Sequence, residues 1–116
     1  DSTWIWKLDS GRTEYQIYIS DEYTAPLMRS GSGWRFYSIA NDIDGQSLPL
    51  VQVSRNVNWC ARYSCAYLEI VGITITREYL TSHEASGITV KISGTGGEHV
   101  VAISGAYIQA FLQKSA

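Results

Sequence analysis

Apolar residues recur at every second position, in short runs separated by Asp, Ser, Gly and Pro, and this pattern constrains the fold more than anything else in the chain. Trp4, Trp6 and Leu8 alternate with Ile5 and Lys7, and Tyr15, Ile17 and Ile19 alternate with Gln16 and Tyr18. Two such runs around Asp9-Ser10-Gly11-Arg12 read as a β-hairpin. Ile88, Val90 and Ile92, the turn Gly94-Thr95-Gly96-Gly97 and the run Glu98 to Ile103 read as a second. Tyr67 to Thr76 is the most β-prone run. Both of its faces are apolar near the middle, which suits a central strand covered on two sides.

Between these segments the pattern predicts a loop from Ser20 to Gly33, marked by Pro26 and Ser30-Gly31-Ser32-Gly33. A strand is expected over Trp34 to Ala40, a turn over Asn41 to Gln46, and a strand from Leu48 to Val53. Pro49 removes a ladder donor, so that strand belongs at a sheet edge or begins at the Pro. Thr76 caps a short helix over Arg77 to His83, which stops near Gly87. Ser104 caps a terminal helix from Ala106 to Gln113. Tyr107, Ile108, Phe111 and Leu112 share one face of it, and Lys114 sits at its negative end.

About seven short strands with these two helices predict a mainly β fold. The expected architecture is an antiparallel β-sandwich or partly open barrel with a short helix and a C-terminal amphipathic helix. A single-layer α+β sheet is the second architecture considered. At 116 residues, with 45% hydrophobic and 17% charged, the chain forms one domain, 1–116, with a packed core. Trp4, Trp6, Trp34 and Phe36 are read as core.

A net charge of −2 and nine scattered Lys and Arg exclude a nucleic-acid binder that works by neutralising phosphates. No uncharged apolar run approaches the roughly 20 residues of a transmembrane helix. The start at Asp1, without an initiator Met, reads as a processed or trimmed end. Cys60 and Cys65 are separated by four residues. That spacing allows a disulfide across a tight loop in an oxidising compartment, with two reduced thiols, or zinc binding or catalysis, as the alternatives. A bridge across so short a loop shapes the loop more than it stabilises the fold. Abundant Tyr, Trp, Ser and Thr with only Lys7, Lys91 and Lys114 as lysines suits an exported bacterial β-domain.

Four segments in order carry a resemblance. They are Trp34-Arg35-Phe36-Tyr37-Ser38-Ile39-Ala40 with Gly45, the Cys60/Cys65 pair, Tyr67-Leu68-Glu69, and Ala106-Tyr107-Ile108-Gln109-Ala110-Phe111-Leu112. The set, spanning Trp34 to Leu112, resembles small exported proteins and lipoproteins of Gram-negative bacteria, a group of unknown function. The resemblance implies a β-rich fold and a periplasmic or extracellular place in the cell envelope. It carries over no catalytic residue. It also implies, for the lipoproteins, a lipid anchor on an amino-terminal Cys, which this sequence does not carry.

Among candidate chemical groups, Glu69 stands out as an acid inside an apolar strand. It is read as a buried ion pair or hydrogen bond with Arg35 or Arg62, and alternatively as a general acid or base. Asp42-Ile43-Asp44-Gly45 looks like half a calcium loop, but the EF-hand register puts Ala40 and Val51 at the first and last ligand positions. The segment is therefore read as a turn, and no metal or cofactor is expected. Gly94 to His99 lacks the features of a phosphate cradle and is read as a turn. His83 and His99 are expected at the surface without catalytic duty.

The leading expectation is a non-enzymatic, exported interaction module that binds a protein partner through a strand edge or an aromatic patch. A carbohydrate-binding module using Trp59, Tyr63, Tyr37 or Tyr18 is the alternative. A small hydrolase with Glu69 as base is a distant third.

Overall fold

The computed structural model describes residues 2–7, 14–26 and 33–114. Its strands are β1 (Ser2–Lys7), β2 (Glu14–Pro26), β3 (Ile39–Asp42), β4 (Ser47–Leu48), β5 (Leu50–Cys60), β6 (Ser64–Thr76), β7 (Ile88–Gly94) and β8 (Gly97–Ile103). Helix α1 (Arg77–Ser82) follows β6, and α2 (Gly105–Lys114) follows β8. The strands form two antiparallel four-stranded sheets, ordered β1-β2-β6-β5 and β4-β3-β7-β8. The architecture is a β-sandwich with eight strands among the described residues, not a barrel or a single layer.

Alternation explains which sheet face is buried. On the first sheet Ile5, Ile17 and Ile73 lie in one register row and Ile19 and Val71 in another, all buried. The second sheet answers with Ile88, Val90, Ile92, Val101 and Ile103. Burial of each such side chain contributes about 2 kcal/mol. The β6 strand is central, between β2 and β5, as its two apolar faces predict. Both helices close one end of the sandwich. Thr76 Oγ1 accepts from Tyr79 N at 3.1 Å and Ser104 Oγ from Tyr107 N at 3.1 Å, so both predicted caps form. Ile108 and Leu112 enter the core, and Phe111 packs edge-on to Tyr15.

Four expectations need correction. First, β2 runs through to Pro26 where a loop from Ser20 was expected. The alternation persists, but with Asp21 in an inward slot, and the polar inward residue disguises it. Residues 27–32 of that expected loop, like the turn Asp9–Arg12, lie outside the described residues. Second, Trp34 to Ala40 is not one strand. Residues 33–38 cross from one sheet to the other without regular pairing, Phe36 adopts a left-handed φ of 55°, and only Ile39–Asp42 forms β3. Third, the strand expected over Leu48–Val53 is divided at Pro49: β4 ends one sheet, while β5 forms the edge of the other and runs on to Cys60. Fourth, Trp6 is 61% exposed and Trp4 only partly buried, because the register that buries Ile5 opposite Ile17 turns both indoles outward. Phe36 is likewise 38% exposed, whereas Trp34 packs against the core.

Candidate functional site

The outer face of the β1-β2-β6-β5 sheet carries rows of residues set by strand register. One row is Trp4, Tyr18, Gly72 and Val51, and the next beyond it is Trp6, Gln16 and Thr74. Along the other direction follow Ser2, Ser20, Ile70 and Ser54, then Glu22, Leu68 and Asn56, then Thr24, Ala66 and Trp59. Among the described residues no helix or strand packs over this face. Trp4 and Tyr18 stack with ring centroids 5.6 Å apart. The Tyr18 ring lies over Gly72, where an added Cβ would stand 3.4 Å from it, so the glycine leaves a floor for the ring. From this aromatic pair to Trp59 is six residues along β6, about 20 Å.

Trp4, Tyr18, Val51, Ile70 and Leu68 supply the apolar side chains of this face, interspersed with Ser2, Ser20 and Ser54 in the Ile70 row and flanked by Gln16 and Thr74. Glu22 of β2 accepts from the Asn58 side-chain amide of β5, a bond that reaches across β6. Trp59 is 52% and Tyr63 72% exposed, at the far end, where the Cys60–Cys65 disulfide joins the ends of β5 and β6. Arg62 lies over the Tyr63 ring, 5.5 Å from its centroid.

The sheet brings Tyr18 and Trp59 onto one face but not Tyr37. Tyr37 is 1% exposed and donates to Asp21 Oδ2 at 2.5 Å, so it offers no ring to a ligand. Trp4, Trp6, Val51, Leu68 and Ile70 escape the sequence reading. The signal that finds them is the hairpin register: once Ile5 is set opposite Ile17, the indoles must point the other way.

Glu69 belongs to a different, interior cluster. It is 0% exposed, and the backbone N–H groups of Arg35, Phe36 and Tyr37 all donate to its carboxylate at 3.1 Å. Tyr23 Oη also donates to it, and Arg55 Nε lies 3.5 Å away. Arg35 therefore meets Glu69 through its backbone, while its guanidinium reaches Tyr37 Oη at 2.7 Å and Asp21 Oδ2 at 3.4 Å. The expected pairing with Arg62 does not occur, since Arg62 sits in the exposed turn; Arg55, opposite Glu69 in β5, takes that place. This carboxylate is an anchor for the crossover between the sheets. Burial pushes the Tyr23 phenol up, and its bond to Glu69 pushes it further. Burial likewise raises Tyr37, followed by its bond to Asp21. Burial opposes the charge on Arg35, but Tyr37 and Asp21 more than offset it, so its pKa stands above the usual value.

His99 faces inward from β8, with Nε2 3.9 Å from Asp21 Oδ1, and is not the surface residue expected. His83, at the end of α1, joins Asp42 and Asp44 of the β3–β4 turn: one candidate ligand atom from each lies within 4.8 Å of the others. This group alone among the described residues clusters three metal-ligating side chains. Hydrogen bonds otherwise account for Asp42. Burial disfavours its ionisation, but donation from Tyr79 Oη, Gln46 N and Asp44 N outweighs this and holds its pKa below the ordinary value.

Fold and surface together define a β-sandwich domain with an open aromatic sheet face. No family model matches the chain, and no curated protein matches it. No helix is long and apolar enough to cross a membrane among the described residues.

Proposed function

We propose that this chain is a non-enzymatic binding module of the bacterial envelope, periplasmic or extracellular, that takes a protein partner on the outer face of the β1-β2-β6-β5 sheet. The observation that carries the reading is the uncovered row of Trp4, Tyr18, Gly72 and Val51, continued by Ile70 and Leu68. Exposed aromatic and aliphatic side chains set among small polar ones suit a protein interface, whose energetics aromatic anchors dominate. A sugar site pairs stacking rings with hydrogen-bonding side chains, and Gln16, Ser2 and Ser20 do flank the Trp4–Tyr18 pair, so competition by glycans is the arm that separates the two readings. The face is favoured over the free edge of β5, because register shifts at Gln52/Ser54 and Val57/Trp59 interrupt the ladder that an added strand would extend. The disulfide suits an oxidising compartment.

The test is mass spectrometry of what an envelope extract leaves on the immobilised domain, with and without competing glycans. A stoichiometric protein that resists glycans, is lost with Trp6→Ser and Leu68→Ser, and is kept with Ile39→Ser and Val100→Ser on the opposite sheet supports the reading. Truncating an anchoring Trp costs at least about 2 kcal/mol of affinity, some thirtyfold. Retention abolished by glycans, or indifferent to the face variants, overturns it.

A further inference from the structure

We propose that Asp42, Asp44 and His83 bind a single divalent transition-metal ion, Zn2+ in the first place, at the junction of the β3–β4 turn and the end of α1. The site stands apart from the outer sheet face and does not depend on its function. It is assembled from segments 40 residues apart, and one ligand atom from each side chain lies within 4.8 Å of the others. Asp42 is only 8% exposed, so its carboxylate is a fixed ligand rather than a mobile surface acid.

The second observation concerns the histidine. His83 Nδ1 lies 2.8 Å from the Tyr79 carbonyl oxygen and 3.0 Å from Ser82 Oγ. A carbonyl only accepts, so Nδ1 carries the proton and Nε2 is left with the lone pair a metal requires. A backbone carbonyl that fixes the tautomer is the usual outer support of a metal-bound histidine. Tyr79 supports the set a second time, because its hydroxyl donates to Asp42 Oδ2 at 2.7 Å, and its ring stacks on the His83 imidazole at 4.1 Å. One residue outside the ligand set thus orients two of its three members.

The donor set selects the ion. One imidazole and two carboxylates are too few oxygens for Ca2+, which takes six to eight, and Mg2+ does not favour imidazole. Three protein ligands, with water completing the shell, suit Zn2+. The turn fails as a calcium loop because the EF-hand register puts Ala40 and Val51 at its first and last ligand positions; α1 supplies a softer ligand instead.

The test uses the full chain freed of metal by a chelator, titrated with Zn2+ by calorimetry and with Co2+ by visible absorption. Expected are one saturable site, Co2+ ligand-field bands, and a weakening of at least about tenfold in Asp44→Asn and in His83→Gln. Tyr79→Phe, which keeps the carbonyl and removes only the hydroxyl, weakens binding to a smaller extent, and His99→Gln leaves it unchanged. Circular dichroism confirms that the variants are folded; Asp44 is exposed, so Asp44→Asn retains the fold. The absence of saturable binding up to about 0.1 mM Zn2+, the concentration at which extracellular Ca2+ modules begin to fill, overturns the proposal. So does binding that survives in both ligand variants.

Discussion

Asp21 and Glu69 stand directly opposite each other on β2 and β6, two carboxylates on the same inward face of one sheet. Like charges in that position repel, so the pairing persists only because each acid has its own donors. Asp21 takes the Tyr37 hydroxyl and the Arg35 guanidinium; Glu69 takes Tyr23, Arg55 and three backbone N–H groups of the crossover. The crossover residues 33–38 therefore do two jobs. Trp34 packs on Tyr67 of the long sheet, and residues 35–37 supply donors to both acids.

Loss of the Glu69 carboxylate should destabilise the whole domain. Glu69→Ala leaves Arg55 and three backbone donors without their acceptor, an expected loss of about 3–5 kcal/mol. Glu69→Gln keeps one acceptor oxygen but sets an NH2 group against backbone donors, and should cost about 1.5–3 kcal/mol. Urea unfolding measures both. A carboxylate strained for catalysis would behave oppositely, with Glu69→Gln neutral or stabilising.

Gly94→Ala probes the same crossover from the other sheet. An added Cβ would lie 2.1 Å from the Phe36 carbonyl oxygen and 2.2 Å from that of Arg35. These are backbone atoms that Glu69 holds in place, so they cannot move aside cheaply. The expected cost is about 1–3 kcal/mol, set by overpacking. Gly45→Ala, whose Cβ meets nothing within 4 Å, isolates the other glycine effect, since its φ of +86° alone disfavours a side chain. Equal stability of Gly94→Ala and the parent chain would mean that the crossover does not lie on β7.

How much of this was legible depended on where polar residues stood. Period-two alternation located the β7–β8 hairpin and the core residues of β2 up to Ile19, a run apolar on both faces located β6, and the N-cap preference of Thr76 and Ser104 located both helix caps. It failed where an inward position is polar, as at Asp21, because a carboxylate partnered from a distant segment has no local signature. It also failed on Trp4 and Trp6. Aromatic bulk suggested core, but hairpin register, which depends on the partner strand, decided the face. Trp59, Tyr63 and Tyr18 were identifiable as available rings, whereas Tyr37 was not separable from them, because its partners lie 16 residues away at Asp21 and in the neighbouring Arg35. The meeting of His83 with Asp42 and Asp44 is purely tertiary.

Stability should fall at both ends of the pH range, for separate reasons. The folded-state pKa of Asp42 lies below its unfolded value of about 3.9. Its contribution is thus complete above that value and lost as pH falls through the folded one. Tyr23, Tyr37 and Tyr79 have phenols raised above the ordinary value of about 10, Tyr79 through burial and then its bond to Asp42. Their contribution is complete below about pH 10 and declines as pH rises beyond it toward the folded pKa. Melting temperature against pH should show both limbs. Tyr37→Phe, which cannot ionise, should flatten the alkaline limb; an unchanged limb in all three Tyr→Phe variants would refute the assignment.

The Cys60–Cys65 bridge should govern the hairpin tip more than the fold. It lies at the end of the long sheet away from both helices and closes a ring of only six residues, so its entropic contribution is about 2 kcal/mol at most. Cys60 is exposed, so Cys60→Ser opens no cavity in the core. Trp59 stands beside Cys60 and opposite Ala66, where one of the β5 register shifts already bends the strand. Cys60→Ser, or reduction, should therefore change Trp59 fluorescence and quenching strongly while lowering unfolding free energy by no more than that amount. Partner affinity should fall if the partner reaches the Trp59 end of the face, and hold if it uses only the Trp4–Tyr18 end. A loss of several kcal/mol would instead show that the tip is continuous with the core, through Cys65 and the stacked Tyr67 and Tyr23 beneath it.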